Sequence, residues 1–323
     1  MTKIDLRRVA ALLAAFLAAM VLVPVAGAQT VGTSSFPGST GAIAFVSERD
    51  GAENFDVYRM NADGFGQTRL TDESGVNLSP SWSADGTKIA FTNAAGFGAN
   101  GDVFQIGADG SDPRNLTEAP DTNDGAPAYS PANDKFAFVS TRAGGQSDIY
   151  LTTLGPDGQT TGLTRLTTGN AQDIGPAISP NGRKLAFQSD RDGDFDVYVM
   201  KLAPEGPRNV PVKLTRNAVF DFTPDWSPDG AQLAFASERS GNREIWRMKA
   251  LPEGRRNKPV NLSNNPASDQ DPTWSPDGRK IAFVTDRDGN SEIYRMRATD
   301  GAGQTNLTNN PALDFQPAWQ PLP

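Results

Sequence analysis

The sequence predicts an all-β chain made of six repeats of one four-stranded unit, and three observations carry that prediction. An apolar residue followed by Ala-Phe recurs as Ile43-Ala-Phe45, Ile89-Ala-Phe91, Phe136-Ala-Phe138, Leu185-Ala-Phe187, Leu233-Ala-Phe235 and Ile281-Ala-Phe283, the central alanine stepping by 46, 47, 49, 48 and 48 residues. Three further short tracks keep the same period. An acid opens Asp56-Val-Tyr58, Asp102-Val-Phe104, Asp148-Ile-Tyr150, Asp196-Val-Tyr198, Glu244-Ile-Trp246 and Glu292-Ile-Tyr294. A leucine followed by a hydroxyl residue stands at Leu70, Leu116, Leu166, Leu214, Leu262 and Leu307, and Pro-x-Trp or a substitute is centred on Trp82, Tyr129, Ile178, Trp226, Trp274 and Trp319. Finally, 32 Gly and 24 Pro among 323 residues, 37% of them hydrophobic, suit short strands and tight turns better than long helices. Four strand signals per repeat are the signature of blades, so the expected architecture is a six-bladed β-propeller.

The first segment stands apart. Lys3, Arg7 and Arg8 precede an apolar run from Val9 to Val25, and Ala26-Gly27-Ala28 supplies a small-x-small cleavage pattern. Residues 1–28 are therefore read as a cleaved signal peptide, with Gln29 the first mature residue. The run is shorter than the roughly 20 apolar residues a membrane span needs, so no membrane insertion is expected after cleavage. Arg7-Arg8 fits an ordinary basic n-region as well as a twin-arginine signal, and both export routes stay open. Residues 29–40, rich in Ser, Gly, Thr and Pro, read as a flexible linker, and residues 41–323 as the propeller.

Composition excludes several functions. Without cysteine there is no disulfide, thiolate metal site or lipidated N-terminal cysteine, and without histidine there is no Ser-His-Asp or Cys-His catalysis and no imidazole metal ligand. Removing residues 1–28 takes away three basic side chains (Lys3, Arg7, Arg8) and one acid (Asp5), leaving 27 basic and 37 acidic, a net charge of −10. A surface this acidic is a poor nucleic-acid binder and attracts cations or basic partners.

Strand order follows from the tracks. With the Pro-x-Trp strand innermost (A), the Ala-Phe strand next (B), then the acid-led strand (C) and the Leu-hydroxyl strand (D), the propeller starts with strand B at Ile43 and ends with strand A at Trp319. First and last segments must share a blade, which closes the ring and removes the open sheet edge. A monomer is expected.

Between strands A and B lie Ser227-Pro-Asp-Gly230 and Ser275-Pro-Asp-Gly278, with Ser83-Ala-Asp-Gly86 and Ser179-Pro-Asn-Gly182 as variants. Together with the flanking Trp and Ala-Phe motifs, these resemble the WD-like repeat of the TolB propeller family over nearly all of Gly41–Pro323. The resemblance implies a six-bladed propeller, a cell-envelope location and a protein partner there. Members of that family carry an additional N-terminal α/β domain where this sequence has only a short linker. Propellers of this repeat type also precede peptidase domains in some enzymes, and no such domain is expected after Pro323.

The Asp-Gly pairs of these turns fit hairpin geometry better than ligand binding, since Gly tolerates positive φ and Asp bonds its own backbone. The glycosylation-like triplets at Asn115, Asn261 and Asn306 fall on the Leu-hydroxyl track, which the repeat already explains. Five repeats carry a Ser/Thr-x-Arg loop ending at Arg49, Arg142, Arg191, Arg239 and Arg287, with Thr92-Asn-Ala94 the departure. Each arginine is expected to pair across the B–C hairpin with the acid opening strand C, which would leave Asp102 without its partner. Three residues before each strand-A proline stand Asn77, Asp124, Asp173, Asp221, Asp269 and Asp314, with no arginine apparent in register. Six-fold symmetry would set them around one channel mouth, where they would cap the incoming loop, hold Ca²⁺ or face a basic partner. The opposite face carries longer C-to-D loops, including the basic run Arg255-Arg256-Asn257-Lys258.

The favoured reading is a non-catalytic exported binding or scaffold protein, periplasmic or secreted, presenting an acidic channel mouth to a protein or peptide partner. No cofactor is required by it, with Ca²⁺ the one candidate ligand. The alternative is a Ca²⁺-dependent propeller enzyme of lactonase or lyase type using Asp124, Asp173, Asp221, Asp269 and Asp314. Near-identity of the ring positions argues against it, because an active site needs different residues in different blades.

Overall fold

A computed structural model describes residues 35–323, apart from 52–53, 73–74, 97, 156–157, 203–209 and 255–256. The expected signal peptide, residues 29–34 of the expected linker and the pair Arg255-Arg256 lie outside the described residues. The remainder forms six antiparallel four-stranded sheets with no helix among the described residues, as the repeat predicts.

Blades 2 to 6 each take their strands A to D in sequence order, with inner strands Val76–Trp82, Asp124–Tyr129, Asp173–Ile178, Asp221–Trp226 and Asp269–Trp274. Blade 1 is the composite one. Its inner strand is the last of the chain, Asp314–Leu322, paired antiparallel with the first, Ser39–Ser47, in a register running from Ser39 opposite Leu322 to Ser47 opposite Asp314. Ring closure by the two ends of the propeller is thus present as expected. Every inner strand also contacts the inner strand of both neighbouring blades, so the six surround one axis.

Packing follows from the tracks. The Ala-Phe triplets are buried throughout, Phe45, Phe187, Phe235 and Phe283 completely, and their small central alanines let neighbouring sheets approach. Trp82 and Trp226 cross the blade junctions by donating Nε1–H to the carbonyls of Ala318 and Ala177, at 3.1 and 3.0 Å. In the A-to-B turns Asp85, Asp229 and Asp277 accept from the hydroxyls of Ser83, Ser227 and Ser275 at 2.6–2.7 Å, so these Asp-Gly pairs serve as turns.

Each inner strand bends before its proline. Ser79, Ala126, Gly175, Thr223, Asp271 and Gln316 all have φ between 45° and 64°, and the A–B register slips there in every blade. The bulge turns the following proline, which has no N–H to offer, onto the edge that faces the axis.

The expected linker needs correction at its C-terminal end. Ser39 and Thr40 already belong to a strand, and Ser35 and Phe36 are buried. The hydroxyl of Ser35 donates to Asp225 Oδ2 at 2.6 Å and to the carbonyl of Trp274 at 3.0 Å, on the inner strands of blades 5 and 6. Phe36 belongs to the apolar cluster of Ala90, Val103, Tyr129 and Phe136, in blades 2 and 3. In a six-fold ring these two junctions are diametrically opposed, so two consecutive residues reach both walls and the strap crosses the axis. Composition gives no hint of this, because one Phe in a polar leader carries no periodicity.

Candidate functional site at the channel mouth

The D-to-A and B-to-C loops share one face of the ring, and there the sequence places Asn77 and the five aspartates. All five carboxylates are completely buried. Each is bonded to the arginine of its own blade: Asp314 to Arg49 at 2.9 Å, Asp124 to Arg142 at 2.5 Å, Asp173 to Arg191 at 2.7 Å, Asp221 to Arg239 at 3.0 Å and Asp269 to Arg287 at 3.3 Å. The expectation that no arginine lies in register with the ring is therefore corrected. Strand pairing explains the outcome, since each ring acid stands opposite the Ser or Thr that begins the arginine loop, as Asp173 stands opposite Ser189 and Asp269 opposite Thr285.

The arginine is held on three sides. In blade 5, Arg239 Nε donates to Ser237 Oγ at 2.9 Å, and its guanidinium lies 5.2 Å from the ring centre of Phe235 and 5.1 Å from that of Trp246. The same sandwich recurs in blades 1, 3, 4 and 6 with Phe and Tyr. Planar guanidinium suits both the stacking and the carboxylate, which lysine would not. Burial still pushes the carboxyls of Asp124 and Asp221 above the ordinary range, while their arginines and serines pull back.

The acids that open strand C have other partners, which corrects the second expectation. In every blade the hydroxyl after the track leucine donates to them, as Thr71 to Asp56 at 2.8 Å and Thr215 to Asp196 at 2.9 Å. Arg69, Arg165 and Lys213 complete the pairing in blades 1, 3 and 4. Asp102 is not left unpaired. It accepts from Asn115 at 2.9 Å, Thr117 at 3.0 Å and the Ala119 N–H at 3.1 Å.

Blade 2 makes the rule clear. Its ring position is Asn77 rather than an acid, its serine position is Asn93, and the residue in the arginine's place is Ala95. Asn93 donates to Asn77 at 2.8 Å, and Asn77 donates onward to Asp56 at 3.3 Å. Acid and arginine are lost together. That joint departure was the signal in the sequence, 18 residues apart in every complete repeat, and attention to the nearer B–C hairpin hides it.

With the ring acids neutralised from within, the mouth is lined by the residues beside them. Phe315 and Phe55 meet edge to face at 5.3 Å over Leu78 and Val76. On the other side Phe220 stacks on Phe222 at 5.9 Å, and the Arg243 guanidinium lies 4.6 Å from the Phe222 ring centre. Arg243 donates to Gln270 at 2.7 Å and to Glu238 at 3.2 Å. Among the described residues no three His, Cys, Asp or Glu side chains come close enough to hold a metal ion.

One carboxylate differs from the rest. Asp271 occupies the pre-proline bulge of blade 6, where the other blades have Ser79, Ala126, Gly175, Thr223 and Gln316. It is partly exposed and accepts no hydrogen bond from any described residue. Burial pushes its carboxyl up to about 6, with Arg243 opposing part of the rise. A carboxyl raised in the folded state holds its proton more tightly there than in the unfolded chain. Stability is therefore lost as pH rises from about 4 through about 6, and the whole penalty is present at neutral pH. Asp271→Asn is expected to raise the unfolding free energy by about 1–3 kcal/mol near neutral pH, shrinking to about half a kcal/mol near pH 4. Urea midpoints at both pH values measure it, and an equal shift at the two would assign the effect to packing instead of charge.

A family model described as the TolB beta propeller domain matches residues 43–218 and 214–322. A Protein TolB homolog of Chlorobium luteolum is 32% identical over 153 residues, which is 47% of this chain and 32% of that protein. The Tol-Pal system protein TolB of Desulfosudis oleivorans is 43% identical over 51 residues, 16% of this chain and 11% of that one. The chain thus matches about a third or less of the length of these relatives. Among solved structures, TolB from Acinetobacter baumannii gives a TM-score of 0.71 at 23% identity, covering 87% of this chain and 67% of that one. A puromycin-hydrolyzing peptidase of Mycobacterium tuberculosis gives 0.57 at 17% identity, covering 88% and 46%. At such identities the likeness speaks to the fold alone. With almost the whole ring matched by the family model, the chain belongs to the TolB beta propeller domain family.

Proposed function

We propose that this is an exported, non-catalytic binding module of the cell envelope, and that its working surface is the channel mouth, which receives a segment of a protein partner carrying apolar side chains and one basic side chain. The observation that carries the reading is Asp271, a part-exposed carboxylate without a hydrogen-bond partner among the described residues, set in an inner ring whose mouth presents Phe222 and Phe315. A partner's ammonium or guanidinium would bond the carboxylate directly, which Arg243 reaches only at a distance, and its apolar neighbours would cover the half-buried rings. The relative named for the Tol-Pal system favours a periplasmic setting and a protein partner. The enzyme alternative draws no support from the ring, because its five carboxylates are each engaged by an arginine. On this reading Ca²⁺ is not needed at Asp124, Asp173, Asp221, Asp269 or Asp314.

The test is cross-linking of the purified protein to envelope extract with mass-spectrometric identification, comparing wild type with Asp271→Lys and Phe222→Asp. Capture of a defined protein that drops at least about tenfold in both variants is expected. Capture that survives both substitutions would move the interface off the mouth. Calorimetric titration with Ca²⁺ is expected to show no saturable heat, and a site that disappears in Asp221→Asn/Asp269→Asn would overturn the structural role given to the ring.

A further inference from the structure

On the face opposite the mouth, a cleft of about 570 Å³ opens between blades 1 and 2, lined among others by Arg59, Lys88, Gly107, Ala108 and Arg114. The position of Arg59, fourth in strand C, is arginine in two other blades. Arg247 donates to the carbonyl of Ala298 at 3.1 Å, and Arg295 donates to that of Ala62 at 2.6 Å. Each arginine thereby ties its blade to the next. In blade 1 the corresponding carbonyl belongs to Ala108, but Arg59 makes no hydrogen bond or ion pair with any described residue. Its guanidinium faces the cleft instead.

Lys88 begins strand B of blade 2 and borders the cleft from that blade, exposed, its ammonium making no hydrogen bond or salt bridge with a described residue and feeling Asp85 only at a distance. Arg114, in strand D opposite Gln105, also borders the cleft, but its guanidinium packs against Gly158 of blade 3 and is engaged there. The cleft also contains Asp109 and Asp112. Asp109 is already engaged, accepting from the hydroxyl and N–H of Ser111 at 2.6 and 3.1 Å, and Arg59 feels it only at a distance.

Arg59 and Lys88 lining one recess of a chain whose formal charge is −8 oppose the trend of the whole surface. Neither makes a hydrogen bond or salt bridge through its charged group with a described residue. We propose that this cleft is a second binding site, independent of the channel mouth, and that it takes a small polar ligand bearing one oxyanion, either a phosphate monoester or a carboxylate. The volume falls within the range of small-molecule sites, and free guanidinium and ammonium groups are the side chains that recognise such anions.

Isothermal titration at low salt with inorganic phosphate, glucose 6-phosphate and glucuronate separates the two anion types. Saturable binding of at least one probe with Kd at or below about 1 mM is expected, weakened about tenfold or more in Arg59→Gln and in Lys88→Gln. Arg297→Gln, on an exposed arginine paired with Asp300, is expected to leave the affinity unchanged. Since Arg59 carries no structural bond, Arg59→Gln should keep the wild-type melting temperature, whereas Arg295→Gln should lower it. Absence of saturable binding for all three probes, or equal affinity in wild type and both cleft variants, overturns the site.

Discussion

Arg239→Ala is expected to destabilise the propeller by about 3–5 kcal/mol, far more than loss of a surface ion pair would cost. The guanidinium is 14% exposed and its partner Asp221 is not exposed at all, so removing the arginine leaves a buried carboxylate that Asn217 and Ser237 still bond but that has lost its countercharge. It also removes the stronger of two donors to Ser237 Oγ, leaving only the backbone N–H of residue 239, and leaves the facing rings of Phe235 and Trp246 with a void between them. Blade 2 supplies the compensating design, with an amide at the ring position and alanine in place of the arginine. The double variant Asp221→Asn/Arg239→Ala should therefore recover about 1–3 kcal/mol of the loss, because no buried charge remains. Urea midpoints of wild type, both single variants and the double variant give the cycle.

The pH dependence adds a second readout. Burial already raises the Asp221 carboxyl, with Arg239 the largest opposing influence, so deleting Arg239 raises it further. Such a group costs stability above its folded pKa, and the cost fades as pH falls below it. The defect of Arg239→Ala should shrink on acidification, while the double variant should show no such trend. A single variant that loses less than about 1 kcal/mol at neutral pH would show the pair to be ornamental.

These pairs mark where the sequence was readable and where it was not. Six blades, the strand order and the closure of Ser39–Ser47 on Asp314–Leu322 follow from a period of apolar triplets, which reports burial directly. Ring acids were visible as a track, but their partners were not, since a cross-strand contact between A and B spans 18 residues and competes in the eye with a hairpin contact of five to seven. Register decided the matter: Ser189 faces both Asp173 in strand A and Asp196 in strand C, and the arginine that follows it leans towards the inner strand. Asp196 is then left to Lys213 and Thr215. Asp271 was equally hidden, for its track position varies freely among blades, and only the bulge geometry gives that position a common meaning.

Phe36→Ala is the second large effect, expected at about 3–5 kcal/mol by the measure of buried aromatic truncations. Phe36 is 2% exposed within a cluster anchored by Tyr129 and Phe136, while Ser35 bonds Asp225 and the Trp274 carbonyl across the axis. Asp225 Oδ2 also accepts from the Trp274 N–H at 2.7 Å, so Ser35→Ala leaves the carboxylate partly satisfied and should cost only about 1–2 kcal/mol. The strap precedes the strand that closes the ring, and Gly38 N–H donates to the Pro276 carbonyl at 3.3 Å on the way. Losing the phenyl anchor should therefore expose residues 35–38 to protease before the blades unfold, since the strap's own hydrogen bonds are few. Limited proteolysis with N-terminal sequencing, run beside urea denaturation, reads both effects. Early cleavage in Phe36→Ala with a lowered midpoint is the expected pattern. An unchanged midpoint with wild-type proteolysis would mean that the strap does not hold the two sides of the ring together, and that the far end of the channel is left open.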